Sequence, residues 1–158
     1  MLKNLTKSAL IAGLLSTPLA AWADGHVITL RATANSNEND EDYDGLIVFK
    51  NFVENASNGA ITVELFIGTQ LCSKGAECLQ GVADGSIDIY ISTSGGASSI
   101  FPYVQVLDLP YLMADDRVAE HVLSGDFTRT MREMALADSG DAIRLLTIGH
   151  TGGWRHFA

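Results

Sequence analysis

Basic residues are scarce in this chain: 10 Lys and Arg stand against 19 Asp and Glu, a formal charge of −9. Such a surface is repelled by phosphate backbones and anionic lipid, which argues against nucleic acid as a partner. An anionic small ligand stays open, because one desolvated Arg sets a local potential more than distant, screened carboxylates do. Enzyme motifs are missing as well. His26, His121, His150 and His156 form no HExxH pair and read as surface or hydrogen-bonded polar residues. Neither a GxGxxG nor a GxxxxGKS/T phosphate loop occurs, and Ser94 lacks the glycine spacing of a hydrolase elbow. A pocket without a reaction is what these absences leave.

Long apolar runs are absent after the first residues. There, Lys3 and Lys7 precede an uncharged run from Ser8 to Ala20, and Ala21-Trp22-Ala23 offers a small-x-small cleavage site. Ser16, Thr17 and Pro18 interrupt that run, and it falls short of the roughly 20 residues of a spanning helix. Residues 1–23 are therefore expected to be a signal peptide cleaved after Ala23. The mature chain would be exported, carry eight basic residues and a net charge of −11, and have no stable membrane insertion. It is long enough for one hydrophobic core and too short for two.

Only two cysteines occur, Cys72 and Cys78, in a compartment that permits disulfides. A bridge between them is the preferred reading, with two buried thiols as the alternative. No His or Cys stands at zinc spacing, so no metal is assigned to them. Asp40-Glu41-Asp42-Tyr43-Asp44-Gly45 matches the first half of a calcium loop, but position 12 is Asn51, which cannot supply the bidentate carboxylate. An acidic helix start explains the same residues. Neither metal nor cofactor is therefore expected.

What is present alternates strand and helix. Val27 to Thr33 reads as a strand, and Leu46, Phe49, Val53 and Ala56 mark a helix that Asn58-Gly59 stops. Ile61, Val63 and Leu65 alternate as a second strand; a short helix covers Ala76 to Ala83; Ile87, Ile89 and Ile91 form a third strand running into Ser92-Thr93-Ser94-Gly95-Gly96. This is the parallel α/β pattern, whose ligands bind at the carboxyl ends of the strands. Further on, Val106 to Leu112 is apolar enough to predict burial, and helices are expected from Asp116 to Leu123 and near Phe127 to Leu136. Phe127, Met131 and Met134 should pack the core. Ile143 to Ile148 reads as a last strand.

Three segments carry a resemblance: Gly68-Thr69-Gln70-Leu71; Gly81-Val82-Ala83-Asp84-Gly85-Ser86-Ile87-Asp88-Ile89; and Val106-Leu107-Asp108-Leu109-Pro110-Tyr111-Leu112. In this order, behind an export signal, they resemble the solute-binding receptor of TRAP transporters from about Val27 onward. The resemblance implies a two-lobed α/β periplasmic receptor that closes on a small organic anion and delivers it to TRAP membrane permease subunits. Residues 24–149 would be the first lobe and 150–158 the start of the crossover, with the second lobe largely missing. Ligand contacts would fall on Thr33, Asn35, Gln70, Thr93 and Ser94, with Trp154 and Arg155 as further candidates at the crossing. The Arg that forks onto the ligand carboxylate would lie beyond Arg155. A receptor of an ABC importer or a sensor, and a secreted α/β enzyme, are the alternative readings.

Overall fold

The computed structural model describes residues 27–150, so the leader and cleavage site, Trp154 and Arg155 lie outside the described residues. Three strands, β1 (Ile28–Ala34), β2 (Ile61–Ile67) and β3 (Ile89–Ile91), form one parallel sheet in the order β2-β1-β3. The helices α1 (Glu41–Ala56) and α2 (Gly75–Ala83) connect them. After β3 come the short α3 (Ser94–Ala97), a 3₁₀ segment (Pro102–Asp108), α4 (Asp116–Leu123) and α5 (Asp126–Asp138). The α/β class is that expected, and the sheet is parallel because each connection carries a helix back over it.

Strand periodicity assigns the two faces. Ala32 and Ala34 are fully buried on one face, where Val63, Ile89 and Ile91 join Leu46, Phe49 and Val53 of α1. Leu46 is 1% exposed, a burial that stabilises by about 2 kcal/mol. Tyr90 points to the other face, with Leu79 of α2, Met131 and Ala135 of α5, Phe101 and Val104. At the free edge, Glu54 Oε1 accepts from the Val63 amide at 2.9 Å and Lys50 Nζ donates to the Val63 carbonyl at 2.6 Å. That pair satisfies backbone groups that an edge strand would otherwise offer to another chain.

α1 starts with Glu41, Asp42 and Asp44 in its first turn, opposing the positive end of the helix dipole. It stops where Asn58 and Gly59 take φ of 50° and 79°, the left-handed conformation that Asn and Gly tolerate.

Four expectations are corrected. Val106, Leu109, Tyr111 and Leu112 are 37–59% exposed: three residues per 3₁₀ turn bring Phe101, Val104 and Leu107 to one side and turn Val106 outward, and the other three lie in the surface turn that follows Asp108. In α5 the buried stripe is Thr128, Met131 and Ala135, so Met134 lies beside it at 40% exposure. Residues 143–148 are irregular: Ile143 is buried, but the segment pairs with no strand among the described residues, and Ser139 Oγ takes the Ile143 amide at 3.0 Å. Finally, β3 begins only at Ile89, and the segment after it turns into α3, whose cap is Thr93: its Oγ1 accepts from the Gly96 amide at 3.0 Å.

Candidate functional site

All three strands end at one level, since Ala34 is in register with both Ile67 and Ile91. The loops that leave them, beginning at Asn35, Gly68 and Ser92, therefore meet along one edge. β1 sits between β2 and β3, so the chain departs to opposite sides of it, which is the arrangement that opens a crevice at the carboxyl ends of an open α/β sheet.

Asn35 ties the loop after β1 to the loop after β2 and to β3. Its Nδ2 donates to the Cys72 carbonyl at 3.0 Å, and its Oδ1 accepts from the Tyr90 hydroxyl at 2.5 Å. The Cys72 carbonyl can only accept, which fixes the amide's orientation and makes Tyr90 the donor. Cys78 Sγ lies 3.6 Å from the same Oδ1, a packing contact because a bridged sulfur carries no hydrogen. The Cys72–Cys78 disulfide is formed, with both residues buried beside Ile87, and it holds the loop that supplies the Cys72 carbonyl.

The other expected residues differ in accessibility. Thr33 is fully buried and its hydroxyl donates to the Phe66 carbonyl at 2.7 Å, so it links β1 to β2 behind the edge. Asn35, Gln70 and Thr93 are exposed, and Ser94 is half-buried with its hydroxyl donating to Asp108 Oδ1 at 2.5 Å. Four of the five described candidates thus reach solvent at or beside the strand ends.

Four residues outside the expected ligand contacts complete the edge: Ser36, Asp42, Tyr90 and Asp108. Ser36 Oγ is buried without a hydrogen bond of ordinary geometry, and the polar group its hydroxyl faces is the Asp42 carboxyl. Burial raises Asp42 above the usual 3.8; the Ser36 hydroxyl opposes this, and the Asp40 and Glu41 charges add to it. Burial likewise raises the Tyr90 hydroxyl above 10.0, opposed by Ser92 and reinforced by the Asp42 charge, so Tyr90 stays a neutral donor. Asp42 was legible only within the acidic run read as a helix start or half a calcium loop, and Tyr90 only as a strand residue.

A separate cleft, of about 740 Å³, opens between α4, α5 and residues 147–150. None of its lining residues belongs to the strand-end loops, and its two arginines are engaged: Arg129 pairs with Asp126 at 2.9 Å, and Arg132 donates to the Leu146 carbonyl. The strand edge is the better candidate, because several elements converge there on polar side chains. Among the described residues no group of three or more His, Cys, Asp or Glu is placed to hold a metal.

A parallel sheet with helices on both faces and polar loops gathered at its carboxyl edge is the construction of a periplasmic binding-protein lobe. The chain belongs to bacterial extracellular solute-binding protein family 7, whose profile matches residues 32–158. It is 24% identical over 154 residues to the 2,3-diketo-L-gulonate-binding periplasmic protein YiaO of Escherichia coli, covering 98% of this chain and 44% of that protein. A TRAP periplasmic solute-binding protein from Ochrobactrum anthropi has the same fold at 26% identity and a TM-score of 0.66, over 74% of this chain and 36% of its own. Another, from Sulfurospirillum deleyianum with bound succinate, matches at 23% identity and a TM-score of 0.64, over 72% and 36%. The chain spans less than half the length of these relatives.

Proposed function

We propose that this chain is one jaw of a periplasmic receptor that captures a small organic acid and passes it to a TRAP-type membrane permease. The observation that carries the reading is the convergence of three parallel strand ends on hydrogen-bonding side chains, with Asn35 linking the first two loops to β3, in a chain of the solute-binding family. Asn35, Gln70, Thr93 and Ser94 would give ligand contacts, with Thr33 bracing them from behind and Trp154 and Arg155 joining from the crossing. Relatives of more than twice this length bind diketogulonate and succinate, and a second jaw would contribute the cation that neutralises the carboxylate. Closure would bring the two faces together about a few hinge residues, so neither face alone binds tightly. Capture and release of the acid without turnover is the activity this reading assigns to the jaw. Export through the leader, and release at the cleavage site after Ala23, would place the receptor in the periplasm. No described helix is long and apolar enough to cross a membrane.

Isothermal titration of the full-length gene product with a panel of organic acids tests this. Saturable one-to-one binding of an acid without chemical change is expected. Tight, specific binding by residues 24–158 alone would refute the two-jaw claim, and failure of every acid to bind would refute the receptor reading.

A further inference from the structure

Resting on the receptor reading, and going from the contacts to what orients them, we propose that Tyr90 is a positioning residue for ligand binding: its hydroxyl sets the exposed Asn35 side chain as a fixed hydrogen donor, and Tyr90 does not itself touch the ligand. β1 is the middle strand, so its end is flanked on both sides. Thr33 is in register with Tyr90, and Asn35 follows two residues on, so its side chain leaves on the face that carries the Tyr90 ring. From the β3 side the Tyr90 hydroxyl donates to Asn35 Oδ1 at 2.5 Å, and on the β2 side the Cys72 carbonyl accepts from Asn35 Nδ2 at 3.0 Å. Opposite flanks hold opposite atoms of one amide. With the Cys72 bond alone the amide would still pivot about its nitrogen, and the Tyr90 bond removes that freedom.

Both anchors are rigid in their own right. The Tyr90 ring packs against the cluster of Leu79, Phe101 and Val104 and against that of Cys72, Cys78 and Ile87, so packing places its hydroxyl. The Cys72 carbonyl belongs to the loop that the disulfide closes.

These bonds do little to hold the fold. Asn35 is exposed, where water would serve both ends of its amide at little cost, whereas the fully buried Thr33 hydroxyl has no such substitute for its bond to Phe66. What two bonds on a solvent-facing amide accomplish is orientation. An Asn side chain has two hydrogens and one oxygen to offer. One hydrogen goes to Cys72, while Tyr90 and the Cys78 sulfur, 3.6 Å away, crowd the oxygen, so the second hydrogen is what the side chain presents to a ligand. A free surface amide loses its rotational freedom on binding; this one has lost it on folding, which is preorganisation in favour of affinity.

The test is a double-mutant cycle on the full-length gene product, by calorimetric titration with whichever of 2,3-diketo-L-gulonate, D-erythronate, galactonate and succinate binds most tightly. Tyr90→Phe keeps the ring and its packing and removes only the hydroxyl. It should weaken binding about 3- to 10-fold, the cost of immobilising one side chain, while the ligand-free Tm falls by no more than about 4 °C. In an Asn35→Ala background the same change should have no effect, because the group it positions is gone. Where Asn35→Ala binds too weakly to titrate, NMR relaxation of the Asn35 side-chain amide in the ligand-free protein decides: the amide should be as ordered as the backbone in wild type and clearly less so in Tyr90→Phe. Unchanged affinity in Tyr90→Phe overturns the proposal. So does a loss as large in Asn35→Ala as in wild type, which would put Tyr90 on the ligand, and so does an Asn35 amide equally ordered with and without the hydroxyl. Each of these results leaves the receptor reading standing. Binding of none of these acids, nor of any acid in a wider panel, overturns the receptor reading and this proposal with it.

Discussion

Gly75 and Gly96 touch, and replacing Gly75 by Ala tests whether that contact sets the shape of the strand edge. A β-carbon on Gly75 would sit 2.6 Å from Gly96 Cα and 2.7 Å from its carbonyl oxygen, whereas ordinary contact begins at 3.4 Å. Both obstacles are backbone, so no side chain can swing away, and the starts of α2 and α3 must part by about 0.8 Å, the difference between 3.4 and 2.6. Overpacking of this kind costs about 1–3 kcal/mol, against a helix-propensity gain of at most ~1 kcal/mol. The net loss of about 1–2 kcal/mol corresponds to a Tm lowered by roughly 4–8 °C for a chain of this size. Because α3 opens at Ser94, the same displacement would stretch ligand hydrogen bonds from about 2.8 to about 3.6 Å, beyond useful length. One or two bonds lost at ~1 kcal/mol each would weaken acid binding by about 5- to 30-fold. Gly95→Ala is the control, since a β-carbon there meets nothing within 4 Å. Thermal melting and calorimetry of both variants decide the matter. A Gly75→Ala protein as stable and as tight-binding as Gly95→Ala would refute the reasoning.

Replacing Cys72 and Cys78 together by Ser should destabilise the fold by about 2 kcal/mol on a chain-entropy basis for so short a loop, read by urea denaturation. Ligand affinity should fall with it, because the Cys72 carbonyl that orients Asn35 is released. Thr33→Val, nearly isosteric, should cost about 1 kcal/mol through the lost bond to Phe66 and leave ligand affinity unchanged, as measured by denaturation and titration. Acid should destabilise the fold: Glu54 is held below its usual 4.5 by Lys50 and the Val63 amide, Glu77 by Ser73, and Asp84 by Ser86. Each of these contributions is present above the unfolded-state pKa and is lost as pH falls through the lower folded value; Asp42, raised by burial, works in the opposite sense. Melting temperature followed from pH ~7 to ~3 should therefore drop, and drop less steeply in Glu54→Gln.

Much of the fold was legible because local and long-range signals agreed. The alternation of Ile61, Val63 and Leu65, the spacing of Leu46, Phe49 and Val53, and the Asn58-Gly59 stop describe β2 and α1 as they stand. Parallel strands in turn place Asn35, Gln70 and Thr93 at one edge before any coordinate is known. Where reading failed, the deciding fact was tertiary. Hydrophobicity of Val106 to Leu112 does not reveal a 3₁₀ turn, whose three-residue repeat selects Phe101, Val104 and Leu107 for the core. Ile143 to Ile148 has strand composition, but a strand exists only through its partner. At the edge, Thr33 looked like any accessible threonine, yet the adjoining β2 carbonyl claims its hydroxyl. Asp42 could not be separated from Glu41 and Asp44, because which of the three carboxylates in the first turn is half-buried depends on tertiary packing. The Gly75–Gly96 contact joins positions 21 residues apart and leaves no local trace beyond two glycines.

Backbone amide NMR of the full-length gene product, titrated with the acid that it binds most tightly, tests where the ligand sits. The largest shifts within residues 27–150 should fall at Asn35 and Ser36, at Gly68 to Gln70 and at Ser92 to Ser94. Shifts gathered instead around Arg129, Arg132 and residues 147–150 would put the ligand in the other cleft and contradict the assignment of the strand edge as the binding face.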